Sequence, residues 1–96
     1  MNDYEMMFIV KANADESVIN ATAESLKEVI TSMKGEITKE DKLGNKELAY
    51  PIKKELTGYY FVYDFKADTD LVNELDRKAK IDENVIRHMI IRLDEE

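Results

Sequence analysis

The chain has no cysteine, so neither a disulfide framework nor a thiolate metal site is available to it. It has one proline and three glycines, too few for a collagen-like, linker-like or low-complexity chain. No apolar run approaches the roughly 20 residues that cross a bilayer, and Asp3 and Glu5 stand where a secretion signal would be basic. The expected compartment is therefore a reducing cytoplasm. Positive charge is scarce as well. Fourteen Lys and Arg face 21 Asp and Glu, and the net charge of −7 argues against unaided binding of nucleic acid, which relies on clustered cations. The only histidine, His88, has no carboxylate or serine at a recognisable catalytic spacing. The chain also lacks a phosphate-cradling glycine motif and a calcium loop. The expectation is a protein without enzymatic activity, cofactor, metal or small-molecule substrate.

What is present suffices for one core. Apolar residues make up 44% of the 96 positions, which predicts a single domain over 1–96. Charge is unevenly placed. Lys42, Lys46, Lys53, Lys54 and Lys66 outnumber Glu47, Glu55 and Asp64, so the middle of the chain is locally basic between acidic flanks.

Tyr4 to Val10 is a short apolar run that reads as a buried strand. Asp15 is the candidate N-cap of a helix whose inner face is Ile19, Ala23, Leu26, Ile30 and Met33, and Gly35 is the expected stop. Glu36 to about Ile52 predicts a long strand, bulged near Gly44, with Pro51 confining it to a sheet edge. Lys53 to Thr57 then turn the chain, and Gly58 to Phe65 return. A second helix starts at Asp68 or Thr69 with Val72, Leu75 and Ala79 inward, and Val85 to Leu93 form the last strand. The order β-α-β-β-α-β predicts an α+β, ferredoxin-like sandwich. Its four-stranded antiparallel sheet has spatial order 4-1-3-2, and both helices share one face.

Strand alternation divides the sheet's side chains. Met6, Phe8, Val10, Phe61, Tyr63, Phe65, Ile86 and Ile90 go to the helix-covered face. Glu5, Asp64 and Arg87 mark the other face as open, because unpaired charges are rarely buried. That open face still carries Met7, Ile9, Tyr60, Val62, Met89 and Ile91, more apolar surface than a wet sheet face should show. It predicts a platform for a partner. Tyr4 and Tyr60 are candidates for base stacking. Lys42, Lys46, Lys53 and Lys54 along the hairpin suit phosphate contact, and equally suit edge protection. Arg87 meets either an anion or a cross-strand acid.

Several segments together resemble one family. They are Tyr4-Glu5, Gly44 with Leu48-Ala49-Tyr50-Pro51-Ile52, Gly58-Tyr59-Tyr60, and Val85-Ile86-Arg87-His88-Met89 through Arg92. In order and spacing they are similar to ribosomal protein six of the bacterial small subunit, over nearly the whole chain. The resemblance implies the same ferredoxin-like fold and a structural role in the small (30S) ribosomal subunit. It also implies binding to the central domain of the small-subunit ribosomal RNA together with ribosomal protein eighteen, a small basic protein. Matched position by position, it nominates Tyr4, Tyr50, Lys53, Lys54, Tyr60, Arg87, Met89 and Arg92 as contacts to RNA or partner. Lys46 joins them, while Asn45 stands where many members are basic. The rival reading is a self-sufficient RNA-recognition-motif domain outside the ribosome. It requires an aromatic third strand with a basic residue at a set place before it, and Gly58-Tyr59-Tyr60-Phe61-Val62-Tyr63 has the aromatics without a Lys or Arg at that place.

Overall fold

The structure is a computed structural model. It describes residues 2–12, 15–52 and 55–93, and within these the side chains of all but 49–52, 55 and 56. The elements run β1 (Asn2–Lys11), α1 (Glu16–Ser32), β2 (Glu36–Ile52), β3 (Glu55–Ala67), α2 (Thr69–Ile81) and β4 (Val85–Arg92). The sheet order is β2-β3-β1-β4 with every neighbouring pair antiparallel, which is the expected 4-1-3-2 arrangement.

Both helices pack on one face of this sheet. α1 contributes Ile19, Ala23, Leu26, Val29 and Ile30, and α2 contributes Leu71, Leu75 and Ala79. They close over Met6, Phe8 and Val10 of β1 and Phe61, Tyr63, Phe65 and Ala67 of β3. The aromatic rings order this layer. Phe8 stacks on Phe61 with centroids 5.0 Å apart, and Tyr63 meets Phe8 edge-on at 5.4 Å. Burial drives the Tyr63 phenol up to about 12, with Glu40 and Glu24 adding to the shift, and its hydroxyl donates to the Ala23 carbonyl.

The helix signals hold with two adjustments. α1 ends with Lys34, not Gly35, in the left-handed region, at φ 66°. Gly35 is needed for space instead. A Cβ there would lie 2.6 Å from Leu71 Cδ1 and 2.9 Å from the Ile30 carbonyl oxygen. Met33, expected on the inner face, sits at the helix end and is exposed, while Thr22 and Val29 are buried in its stead. The Thr22 hydroxyl donates to the Val18 carbonyl, which satisfies it inside the core. At the start of α2 the Asp68 carboxylate accepts from the Leu71 amide at 2.9 Å.

His88 faces the helices, as the strand phase predicts. Its Nε2 lies 2.6 Å from Asp76 Oδ1 and ties β4 to α2. That hydrogen bond, reinforced by one from Lys80, holds the Asp76 carboxyl below its ordinary range. The histidine is occupied with fastening an element to the sheet.

β2 is an edge strand, where Pro51 belongs. Its pairing with β3 slips three times, and the middle slip, between Lys42 and Gly44, is the expected bulge, with Gly44 at φ 90°. β3 begins at Glu55, three residues before the expected Gly58, because the two strands continue pairing as a ribbon up to Ile52 and Glu55. Lys53 and Lys54, expected to begin the turn, lie outside the described residues.

One assignment needs correction. Ile86, expected under the helices, points to the opposite face. Val10 pairs with Val85 and Ile9 with Arg87, so Ile86 is an extra residue in β4. The bulge places Val85 in the helix-side core and turns Ile86 over to join Ile9 and Leu48.

Candidate functional site

The register of β1, β3 and β4 builds the helix-free face row by row. Asp64, Glu5 and Ile91 form one row, Val62, Met7 and Met89 the next, and Tyr60, Ile9 and Arg87 the third. β2 adds Lys39 beside Asp64, Asp41 beside Val62 and Gly44 beside Tyr60. Directly opposed side chains on such a face stand about 5 Å apart, close enough to act as one surface.

The middle of this face is open and apolar. Met7 is 37% exposed, Met89 50% and Ile91 44%, with half-buried Val62 between Met7 and the β2 edge. Ile9 departs from the expectation. It belongs to this side but is only 6% exposed, because Leu48 and Ile86 close over it with Tyr60 packed alongside. The bulged β2 brings Leu48 across, and Gly58 makes room, since a Cβ there would stand 2.2 Å from Ile9 Cγ2. Leu48 and Ile86 are the structural residues of this face that the sequence pattern does not announce. Leu48 sits in the run Leu48-Ala49-Tyr50-Pro51-Ile52, whose apolar members were the available signal.

The border toward β2 is acidic. Glu5 and Asp64 oppose each other, and Asp41 lies one row on. A hydrogen bond to Asp64 raises the Glu5 pKa, followed by desolvation and the Asp64 charge, while Lys39 pulls the other way. Lys39 Nζ is itself engaged by Asp41 Oδ2 at 3.5 Å. Asp64 Oδ1 is buried with no hydrogen-bond partner. Two ionised carboxylates supply no proton for a bond between them. Protonating Glu5 provides the donor, which is why its proton is held. A pKa raised in the folded state stabilises the fold below the ordinary carboxylate range, and that contribution disappears as pH rises through the folded value. At neutral pH the pair is a like-charge contact on an accessible face. Glu5→Gln is therefore expected to stabilise the free protein at neutral pH by roughly 0.5 kcal/mol, with the gain vanishing in acid. Urea unfolding at the two pH values measures it.

The remaining nominated residues fall into two groups. Lys46 pairs with Gly58, and Arg87 with Ile9, so both are at the hairpin end of the sheet and both are exposed. Tyr4 and Arg92 oppose each other at the other end. Tyr4 points to the helix side and stacks on Phe65 at 5.9 Å, and Arg92 Nη2 donates to Asn2 Oδ1 at 3.2 Å. About 20 Å separates these ends at the usual rise per strand residue, so the structure does not gather them into one patch. The side chain of Tyr50 lies outside the described residues, as do Lys53 and Lys54 entirely. Lys42 belongs to the helix side, donating to Asn20 Oδ1 at 3.0 Å.

A four-stranded antiparallel sheet with both helices on one face and an apolar, acid-bordered second face defines a ferredoxin-like protein whose distinctive feature is a surface. The family described as Ribosomal protein S6 matches residues 3–92. The chain is 48% identical over 91 residues to small ribosomal subunit protein bS6 of Clostridioides difficile, covering 95% of this chain and 98% of that one. It is 45% identical to the corresponding protein of Alkaliphilus metalliredigens, over 99% and 100% of the two lengths. The crystal structure of 30S ribosomal protein S6 from Thermotoga maritima superposes with a TM-score of 0.91 at 32% identity, covering 96% of this chain and 87% of that one. The chain belongs to the ribosomal protein S6 family: it is a structural protein of the small ribosomal subunit and not an enzyme.

Proposed function

We propose that this protein binds the central domain of the small-subunit ribosomal RNA together with ribosomal protein eighteen. The observation that carries the reading is the exposed Met7–Val62–Met89–Ile91 surface beside an acidic border. A chain of net charge −7 has little to offer RNA phosphates directly, but that surface suits a basic protein. In this scheme the partner covers the bare sheet face and brings most of the positive charge. Lys46 and Arg87 at the hairpin end, with Tyr60, add contacts there, and Tyr4 and Arg92 add them at the far end; Tyr50, Lys53 and Lys54 are further contact candidates.

A self-sufficient RNA-recognition-motif domain would stack bases on the bare face. Among the described residues Tyr60 is the one aromatic on that side; Tyr59, Phe61, Tyr63 and Phe65 are packed with the helix-side core. The geometry favours docking of a protein. The test is filter binding of central-domain RNA by the chain with and without ribosomal protein eighteen, across a salt series. Weak binding alone and much tighter, salt-sensitive binding by the pair is expected. Equal affinity in the two cases contradicts the scheme.

A further inference from the structure

We propose that Glu5 and Asp64 form the seat for one cationic side chain, an arginine or lysine, of the basic protein that docks on the bare face. The inference rests on the docking reading above and specifies how the partner is recognised.

The pair lies on the two central strands, directly opposed, and belongs to the docking surface itself. Its next row is Val62, Met7 and Met89, and Ile91 completes its own row. A long cationic side chain crossing these apolar residues would pack its carbon stem on them and deliver its head to the carboxyls. While both acids are ionised, Asp64 Oδ1 is buried and has no hydrogen-bond donor. Lys39 stands beside Asp64 and offsets part of the charge on the pair. From β2 come Lys39 and Asp41, and Lys39 is held by Asp41. From β3 comes Lys66, one row further out opposite Asp3 of β1. β4 contributes Ile91 to the row, and its Arg87 stands two rows away beside Ile9.

An RNA phosphate would meet two carboxyls and be repelled, whereas a guanidinium accepts both. In the free protein the hydrogen bond to Asp64, burial and the Asp64 charge raise the Glu5 pKa, so in mildly acidic solution Glu5 holds its proton more tightly than an isolated carboxyl does. A bound cation removes that restraint. The Glu5 carboxyl gives its proton to solvent, and the incoming cation donates its hydrogen bonds to the ionised pair in place of that proton. Docking then strengthens as pH rises from mildly acidic to neutral.

The experiment is calorimetric titration of the full chain with ribosomal protein eighteen, in buffers of different ionisation enthalpy, from mildly acidic to neutral pH. The expected result is release of up to about one proton per complex at the acidic end, falling away toward neutrality. Glu5→Gln is expected to abolish the release and weaken neutral-pH binding about tenfold, the loss typical of a charge-assisted contact. Wild-type binding with no proton release and no response to Glu5→Gln overturns this inference alone. Failure of the wild type to bind overturns the docking reading and this inference with it. Tighter RNA binding by Glu5→Gln than by the wild-type chain, without partner, assigns the face to RNA and also overturns it.

Discussion

Met7→Lys is expected to weaken binding of ribosomal protein eighteen by about a hundredfold or more, the loss seen when a residue at the centre of an interface is replaced. Met7 stands between Val62 and Met89, in the middle of the apolar row. The lysine subtracts apolar contact and sets a positive charge against a basic partner. It should do so without unfolding the protein. Met7 is already 37% exposed, and a lysine stem can follow the same path across the sheet. Unfolding free energy within about 1 kcal/mol of wild type is therefore expected. Fluorescence titration with the labelled partner measures the first quantity and urea denaturation the second. Unchanged partner affinity in a folded Met7→Lys protein contradicts the docking scheme.

Phe8→Ala should do the reverse. Phe8 has no exposed surface, stacks on Phe61 and receives the edge of Tyr63. Removing its ring empties the centre of the aromatic layer, and the expected loss is about 3–5 kcal/mol. Small domains have about 5–15 kcal/mol in total, so the variant should be close to the edge of folding at room temperature. Denaturant unfolding against wild type measures this, and a loss below about 1 kcal/mol would mean that the layer can collapse around the gap. Met7 and Phe8 are neighbours in sequence and point to opposite faces of one strand. Their contrasting phenotypes express the two-sided character of the sheet.

That two-sidedness was legible from alternation alone. Glu5 and Asp64 marked one side as open, and Met6, Phe8, Phe61 and Tyr63 marked the other as core, because strand side chains alternate with a period of two. Pro51 fixed the edge strand and Asp68 the second helix start. The misreadings in the sheet share a cause. A bulge inserts one residue, and alternation beyond it changes sign. The extra residue at Ile86 is invisible in Val85-Ile86-Arg87, where both apolar residues are acceptable on either face. Read backwards from Arg87 without the bulge, Ile86 goes to the helices. The same kind of irregularity in β2 brings Leu48 over Ile9, a contact between residues far apart in sequence that no local pattern encodes. At the end of α1, Gly35 looked like the residue for a left-handed turn, yet Lys34 takes that conformation and Gly35 answers a spatial demand made by Leu71 of α2. Of the surface, the composition of the open face was readable, as was its excess of apolar residues. Its pairing of acids into a directly opposed contact required the register.

Membership of the ribosomal protein S6 family and the bare face support each other physically. An acidic chain can serve in an RNA-rich assembly when a cationic neighbour stands between it and much of the phosphate, and a sheet face with exposed methionines offers that neighbour a preformed seat.

Methyl-resolved NMR of this protein, titrated with ribosomal protein eighteen, asks most directly where the partner sits. The account predicts that Met7, Val62, Met89 and Ile91 signals shift, while those of Leu26, Ile30, Leu71 and Leu75 beneath the helices hold still. Shifts confined to the helix side, with the four sheet-face methyls unmoved at saturation, would contradict it.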